Sequence, residues 1–252
     1  MLNSFMLTGR RALVTGGGGG IGRALSSALY DMGADVLIVG RSQSADEAAA
    51  EIGTPERPVQ SLQADLNDRQ ALAAVFEQAV SKLGGLDILV NCHGVVHSQE
   101  SLTYPIELWD ETLENNLNSV FLLCQLAGRV MVPQGSGKII NIASMLSFSG
   151  GLRAPAYAAA KGGVAQMTKA LANEWSSKGV NVNAIAPGYV KTQLNRHIWT
   201  DPVRTEQIMA RLPAGRWGDP DDLKGTVVFL ASAASDYVHG AIIPVDGGWL
   251  SR

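Results

Sequence analysis

Cysteine is scarce in this sequence: Cys92 and Cys124 are the only two among 252 residues. Neither belongs to a Cys-x-x-Cys pair, and neither has the spacing of a metal-binding motif. We therefore expect two reduced, buried thiols rather than a disulfide, and no metal site.

Long runs of one residue class are also missing. No segment of about 18 or more apolar residues could cross a membrane, and no cluster of Lys and Arg offers a surface for nucleic acid. Charged residues make up only 17% of the chain, with a formal net charge of -3. The first ten residues lack the basic segment and apolar core of a secretory signal. These absences predict a cytoplasmic protein that acts on a small molecule, with neither nucleic acid nor membrane as a partner.

Hydrophobic residues, by contrast, make up 46% of the chain, and 28 residues are glycine. Such a composition can fill the core of one large domain, which we expect to span residues 1–252. Seven apolar segments predict strands, at 11–15, 35–39, 59–65, 86–90, 139–142, 180–185 and 241–246. Helical patterns lie between them. This alternation predicts an α/β fold with a doubly wound parallel sheet, whose ligand would lie beyond the carboxyl ends of the strands.

The first predicted strand runs into a glycine-rich turn at residues 16–22, and a helical pattern follows at 21–32. Glycine permits positive φ angles and close approach of the backbone, and the free N–H groups at a helix start attract phosphate. The turn therefore predicts a dinucleotide-binding site, with a flexible surface loop as the alternative. The spacing of Gly16, Gly20 and Gly22 differs from the Gly-x-Gly-x-x-Gly fingerprint, which indicates another subfamily.

The end of the second predicted strand bears on the choice of cofactor. Folds that prefer NAD place a carboxylate there to bind the ribose 2′-hydroxyl, but here Arg41 and Ser42 follow the strand. Because Arg can bind a phosphate through two hydrogen bonds, NADP(H) is favoured, with NAD(H) as the alternative cofactor. Arg41 could also be a solvated loop charge. Asp65 could contact the adenine or cap the next helix, for which Asn67 and Gln70 predict an N-cap.

Three side chains suggest catalysis. Ser144 follows a buried apolar strand, and Tyr157 and Lys161 share one helical face because they are four residues apart. A neighbouring ammonium should lower the pKa of Tyr157 from about 10 towards working pH, which suits proton transfer. A Tyr with a Lys four residues later also arises by chance, so the pair needs support from the rest of the chain.

Three other segments carry signals. The pair Asn115-Asn116 lies within a helical pattern at 105–131, and since Asn is a poor interior helix residue, it predicts a local distortion or a buried function. The helix predicted at about 155–177 is apolar nearly all round, which indicates either a partner subunit or a deep monomeric core. Residues 189–217 lack long periodicity, which is typical of a mobile lid over a site.

Taken together, these residues resemble the short-chain dehydrogenase/reductase family over the whole chain. The motifs are Thr15-Gly16…Gly20-Ile21-Gly22, Ser144, Tyr157…Lys161, and Pro187-Gly188 with Thr192. The resemblance implies a Rossmann-type sheet of seven parallel strands, with helices on both faces in a three-layer sandwich. It also implies a homotetramer and hydride transfer with a nicotinamide cofactor.

By the same resemblance, Tyr157 would be the catalytic acid/base, and Lys161 would lower its pKa and hold the nicotinamide ribose. Ser144 would orient the substrate oxygen, and Asn116 would hold a proton-relay water. The implied cofactor-binding residues are Thr15, Gly16, Gly19, Gly20, Ile21, Gly22, Arg41, Ser42, Asp65, Leu66, Asn91, Gly94, Tyr157, Lys161, Pro187, Gly188, Val190 and Thr192.

The chain departs from the family at Asn91-Cys92-His93-Gly94, where many members have Asn-Asn-Ala-Gly. Cys92 removes an amide that usually braces the sheet, and His93 adds a bulky ring near the cofactor. A tolerated local repacking and a new catalytic role for His93 are the two interpretations.

Further segments, among them residues 142–148 and 213–218, are similar to the branch of the family that acts on 2-dehydro-3-deoxy-gluconate or gluconate. This resemblance implies a substrate site of Ser144, Met145, Arg153 and Tyr157. Arg153 could anchor a sugar-acid carboxylate, or it could be an ordinary surface or interface residue. The leading hypothesis is reversible oxidation of a secondary alcohol on a sugar acid. An NADPH-dependent ketone or 3-oxoacyl reductase is the alternative enzyme, and a dinucleotide sensor without turnover is the non-enzymatic alternative.

Overall fold

Seven parallel strands form one sheet in the order β3-β2-β1-β4-β5-β6-β7. The computed structural model describes residues 2–252, and Met1, the first residue of the predicted domain, lies outside them. The strands are β1 (Arg11–Thr15), β2 (Asp35–Gly40), β3 (Gln60–Gln63), β4 (Ile88–Asn91), β5 (Gly137–Ile142), β6 (Val180–Pro187) and β7 (Ile242–Val245). The predicted α/β class and the parallel sheet are confirmed. Strand order reverses between β1 and β4, so a crevice is expected beyond their carboxyl ends.

Helices cover both faces of this sheet. They are α1 (Gly20–Asp31), α2 (Ser44–Ile52), α3 (Arg69–Leu83), α4 (Ile106–Leu113), α5 (Ser119–Gln134), α6 (Pro155–Trp175), α7 (Arg196–Trp199), α8 (Pro202–Met209) and α9 (Lys224–Ala231). Buried residues of α1, α2 and α9 form one core with one face of the sheet, and those of α3, α5 and α6 form a second core with the other. None of the helices in residues 2–252 is long and apolar enough to cross a membrane.

The two cores explain why the central strands β1 and β4 are largely apolar. Successive side chains of a strand point to opposite faces, so a strand covered on both faces needs apolar residues at every position. In β4, Ile88 and Val90 belong to the first core and Leu89 to the second. The continuous apolar runs in the sequence therefore locate the strands well but cannot show which face each residue takes.

Helix α3 begins one residue later than predicted. Asp68 is its N-cap, accepting hydrogen bonds from the backbone N–H groups of Gln70 and Ala71. The prediction of Asn67 as N-cap is therefore wrong, because the N–H of Asn67 instead bonds to the Asp65 carboxylate at 3.0 Å in a tight turn. The helix ends before Gly84, which caps it in the left-handed conformation.

Residues 189–217, predicted as a lid, contain the two short helices α7 and α8. Within this segment Ile208 and Trp217 are buried in a small third cluster, together with Met145 and Trp249. Through Trp249, the apolar C-terminal tail packs against the rest of the protein. This cluster joins the lid to the loop that follows β5.

Candidate active site

A cleft opens at the carboxyl ends of the central strands. It holds about 1160 Å³ of empty space, part of which is open to solvent. The predicted site residues that line it are Gly16, Gly19, Gly20, Ile21, Gly22, Arg41, Asp65, Leu66, Gly94, Asn116, Tyr157, Lys161 and Thr192. The structure thus brings residues from opposite ends of the sequence into one groove.

The remaining predicted site residues do not line the cleft: Thr15, Ser42, Asn91, Ser144, Met145, Arg153, Pro187, Gly188 and Val190. Sequence reasoning in turn missed several residues that do, among them Gly40, Ala64, Val95 and Leu194. Gly40 and Ala64 immediately precede the predicted residues Arg41 and Asp65, so they could have been predicted from their positions at the strand ends. Leu194 carried no readable signal, because it lies in the irregular lid.

The glycine turn fits a phosphate group. Gly16 has a φ angle of +67°, and a Cβ at position 22 would lie only 2.2 Å from the Gly16 carbonyl oxygen. Gly19, the N-cap of α1, gives no side-chain hydrogen bond to the helix, and a Cβ there would meet no atom within 4 Å. The first N–H groups of α1 thus remain available beside open space, with no acidic side chain in the first turn. The residues present suit the pyrophosphate of a dinucleotide.

Asn91 belongs to a row of buried polar side chains rather than to the cleft. Its side-chain N–H bonds to the Asn141 carbonyl oxygen at 2.9 Å, and the Asn141 N–H bonds to the Thr168 hydroxyl at 3.0 Å. The row links β4, β5 and α6 at the level of the site. Asn91 thus supplies an amide that braces the sheet. The presence of Cys92 had suggested that such an amide would be missing.

His93 fills the floor of the cleft. Its Nδ1 lies 2.7 Å from the Thr15 hydroxyl, and its Nε2 lies 2.8 Å from the Ser119 hydroxyl. The Ser119 hydroxyl also donates to the Asn115 carbonyl at 2.9 Å, and the Thr15 hydroxyl to the Val90 carbonyl at 3.3 Å. Burial lowers the pKa of His93 to about 3, and the Lys161 cation adds to this. The imidazole is therefore a neutral bridge, an arrangement that matches the repacking interpretation.

The Asn115-Asn116 pair lies in a π-helical turn, Glu114–Asn118, between α4 and α5. The predicted local distortion is confirmed. Asn116 donates hydrogen bonds to the carbonyl oxygens of Val95 and Thr112, both at 2.9 Å, and accepts one from the Val95 N–H at 3.2 Å. It thereby fixes the segment after β4 against the cleft.

Ser144, Tyr157 and Lys161 converge at one end of the cleft. Ser144 follows β5 and bonds to the Tyr157 hydroxyl. The Lys161 Nζ lies 5.7 Å from the centre of the Tyr157 ring and donates to the Ile142 carbonyl at 2.7 Å. The strand end and the first turns of α6 therefore assemble a hydroxyl, a phenol and an ammonium.

The prediction that Lys161 lowers the pKa of Tyr157 is wrong for this arrangement. Burial raises the pKa of Tyr157 to about 12, and the hydrogen bond from Ser144 offsets this only in part. The Lys161 ammonium is directed at the Ile142 carbonyl, and burial lowers its own pKa to about 8. Desolvation is thus the largest influence on both pKa values, and the phenol is protonated at neutral pH.

The predicted substrate residues beside the triad occupy other positions. The Arg153 guanidinium forms an ion pair with Glu100 and is more than half exposed, outside the cleft lining. Met145 is buried in the third cluster. The Ser42 hydroxyl lies 2.9 Å from the Ser44 hydroxyl, whereas Arg41 lines the cleft. Among residues 2–252, no group of three or more His, Cys, Asp or Glu is arranged to hold a metal ion.

Comparison with known proteins places this geometry in a family. Residues 16–250 match the family model described as enoyl-(acyl carrier protein) reductase. The 2-dehydro-3-deoxy-D-gluconate 5-dehydrogenase of Bacillus subtilis (strain 168) is 48% identical over 99% of this chain and 98% of its own length.

Two solved structures are also similar. An Agrobacterium tumefaciens protein described as a candidate 2-deoxy-D-gluconate 3-dehydrogenase, with bound NADP, is 46% identical with a TM-score of 0.93, over 99% of this chain and 100% of that one. A gluconate 5-dehydrogenase from Burkholderia cenocepacia J2315, in complex with NADP and tartrate, is 37% identical with a TM-score of 0.95, over 100% of this chain and 99% of that one. Sequence, fold and cleft together show that this chain belongs to the short-chain dehydrogenase/reductase family.

Proposed function

We propose that this chain transfers a hydride between a nicotinamide cofactor and the secondary alcohol or ketone of a sugar acid of the 2-dehydro-3-deoxy-gluconate or gluconate type. The convergence of Ser144, Tyr157 and Lys161 beside a side-chain-free glycine turn carries this proposal. The names of the full-length relatives support the sugar-acid class.

Tyr157 acts as the acid when a ketone is reduced. Because burial raises its pKa to about 12, the phenol carries its proton at neutral pH and can donate it to the carbonyl oxygen. Ser144 donates a hydrogen bond to the same oxygen and holds it in place. Lys161, with a pKa of about 8, is cationic at neutral pH and stabilises the phenolate that forms. The nicotinamide cofactor, when bound, supplies the hydride.

Asn116 and the glycine turn have supporting roles in this proposal. Asn116 fixes the chain at Val95 through three hydrogen bonds, so it keeps the wall opposite Lys161 in one position. We also assign to it the relay of protons to Lys161 through water. The N–H groups at the start of α1 bind the pyrophosphate, and Thr192 of the lid contacts the nicotinamide end.

We propose NADP(H) as the preferred cofactor, with Arg41 binding the 2′-phosphate. Arg41 lines the cleft at the end of β2, and no carboxylate among residues 2–252 forms an ion pair with it. Two related structures contain NADP.

Arg41→Ala should lower kcat/KM for NADP(H) by about 10- to 100-fold, since a charge-assisted hydrogen bond contributes about 1.5–3 kcal/mol. Values for NAD(H) should change less than twofold, and an unchanged NADP/NAD ratio would count against this role.

A substrate panel tests the reaction itself. Purified protein should oxidise or reduce sugar acids with a kcat/KM at least about tenfold above that for neutral ketones, as followed by nicotinamide absorbance. The panel contains D-gluconate, 2-dehydro-3-deoxy-D-gluconate, 3-oxoacyl thioesters and neutral ketones. Preference for 3-oxoacyl thioesters would favour the alternative reductase. Cofactor binding without turnover of any substrate would favour a sensor.

We also propose a cytoplasmic homotetramer. One face of α6 is buried against the sheet, yet Ala159 and Ala170 on this apolar helix are exposed in the single chain. Small exposed residues allow close approach of a second helix, so a partner subunit is the interpretation of this surface that we prefer over a monomeric core. Light scattering would show a mass near four times 26.6 kDa.

A further inference from the structure

The lid carries a charge opposite to that of the whole chain. Residues 189–217 contain five Lys and Arg against two Asp and Glu, whereas the full sequence has 20 against 23. A cationic segment over a cleft raises the local concentration of anions. This excess of positive charge indicates an anionic ligand beneath the lid.

Two of the lid arginines share one face. Arg204, Ile208 and Arg211 follow the i, i+4, i+7 spacing of a helical stripe, and the turn after α8 is continued by a hydrogen bond from the Arg211 N–H to the Ile208 carbonyl at 3.1 Å. Ile208 is buried in the cluster that contains Met145. The two arginines therefore flank Ile208, which packs α8 against the loop that contains Ser144 and Met145.

An aromatic wall lies on the same side. The ring of Tyr189, two residues after β6, packs edge-on against the rings of Trp217 and Trp249, with centres 5.3 Å and 4.9 Å away. The Arg211 guanidinium lies 4.3 Å from the centre of the Trp249 ring, and the charges of Arg204 and Arg211 both act on Tyr189. Tyr189 in turn packs against the cluster of Met145, which directly follows Ser144.

Unused hydrogen-bond donors remain at this wall. Neither Arg204 nor Arg211 forms an ion pair with a carboxylate within residues 2–252, and the Arg204 guanidinium bonds to the neutral Gln207, at 2.9 Å. The indole N–H of Trp217 is buried without an acceptor. A buried donor without a partner is destabilising, and a hydrogen bond to a ligand oxygen would remove that penalty. The donors are suited to an oxygen-rich anion.

We propose that Arg204 and Arg211, which lie in the lid outside the lining of the open cleft, form the subsite for the substrate carboxylate, with the Trp217 indole N–H facing a neighbouring substrate oxygen. This inference rests on the proposed function and names the residues that recognise the substrate carboxylate. Arg153, the residue suggested by the sequence, has its guanidinium committed to Glu100. Arg204 and Arg211 thus separate sugar acids from neutral sugars, while Ser144 and Tyr157 act on the carbinol carbon.

The test compares D-gluconate with D-gluconamide, which has the same carbon skeleton and hydroxyls but no charge. Wild type, Arg204→Gln, Arg211→Gln and the double variant are assayed for kcat and KM with both compounds. We expect the double variant to raise KM for gluconate at least about tenfold, the loss of charge-assisted hydrogen bonds. KM for gluconamide and kcat for both should change less than twofold. Turnover of gluconamide shows that the variants are folded.

Arg196→Gln is the matched control. It removes the same charge from the lid, but Arg196 lies in α7, and its charge does not act on Tyr189 as those of Arg204 and Arg211 do. Its acid-to-amide preference should stay within twofold of wild type. If the double variant kept the wild-type preference for gluconate over gluconamide, the subsite would be overturned. An equal loss of this preference in Arg196→Gln would also overturn the subsite, and neither result would touch the proposed function. Failure of wild type to use gluconate or 2-dehydro-3-deoxy-D-gluconate would instead overturn the proposed function and the subsite with it.

Discussion

Replacing Tyr157 by Phe is expected to lower kcat by about 10²- to 10⁴-fold, the usual contribution of a positioned acid or base. The phenol bonds to Ser144 and, because burial raises its pKa to about 12, it holds its proton across the working pH range. Phe retains the ring and its packing but has no proton to donate. Initial rates with saturating cofactor and substrate measure the loss, and fluorescence titration with NADPH should show binding within about threefold of wild type.

Tyr237→Phe is the matched control for this change. Tyr237 is 99% exposed and lies outside the cleft, so the same deletion of a hydroxyl should leave kcat unaltered. Full activity in Tyr157→Phe would show that another group donates the proton. In that case the group to examine would be the Lys161 ammonium, because its pKa of about 8 lies near working pH.

Replacing Gly22 by Ala is expected to destabilise the protein by about 3 kcal/mol, within the range for forcing extra atoms into a packed site. The new Cβ would lie 2.2 Å from the Gly16 carbonyl oxygen, which is backbone and cannot rotate away. The loss should appear as a Tm lower by about 6–12 °C for a chain of this size. Movement of the turn should also weaken cofactor binding, measured by the same fluorescence titration.

Gly225→Ala makes the identical change in another helix. Gly225 lies in the first turn of α9, and a Cβ there would meet no atom within 4 Å. Ala is the better helix former, so this variant should gain about 0.5–1 kcal/mol. Equal melting temperatures for the two variants would mean that the close approach of Gly22 to Gly16 does not limit stability.

Much of the fold could be predicted because it depends on patterns local in sequence. A strand covered on both faces is largely apolar, and that is visible in a run such as Val-Leu-Ile-Val at residues 36–39. The Asn115-Asn116 pair likewise showed that a helix would be distorted, since the cause lies in those residues themselves. The glycine turn could be located for the same reason.

The parts that could not be predicted depend on residues far apart in the chain. Arg153 is paired with Glu100, and His93 bridges Thr15 and Ser119, which come from different elements. The pKa of Tyr157 depends on how much surrounding atoms exclude water, which i, i+4 spacing cannot show. The stripe of Arg204, Ile208 and Arg211 was present in the sequence, but α8 has only eight residues, too few for its period to stand out.

The π-helical turn at Glu114–Asn118 has an evolutionary consequence. One extra residue in this turn separates the register of α4 from that of α5, so deleting a single residue there would join them as one regular helix. The deletion would rotate the side chains beyond it by about 100° and carry Asn116 away from Val95. A descendant of this chain could thus gain a more regular helix by the same event that removes its asparagine from the cleft.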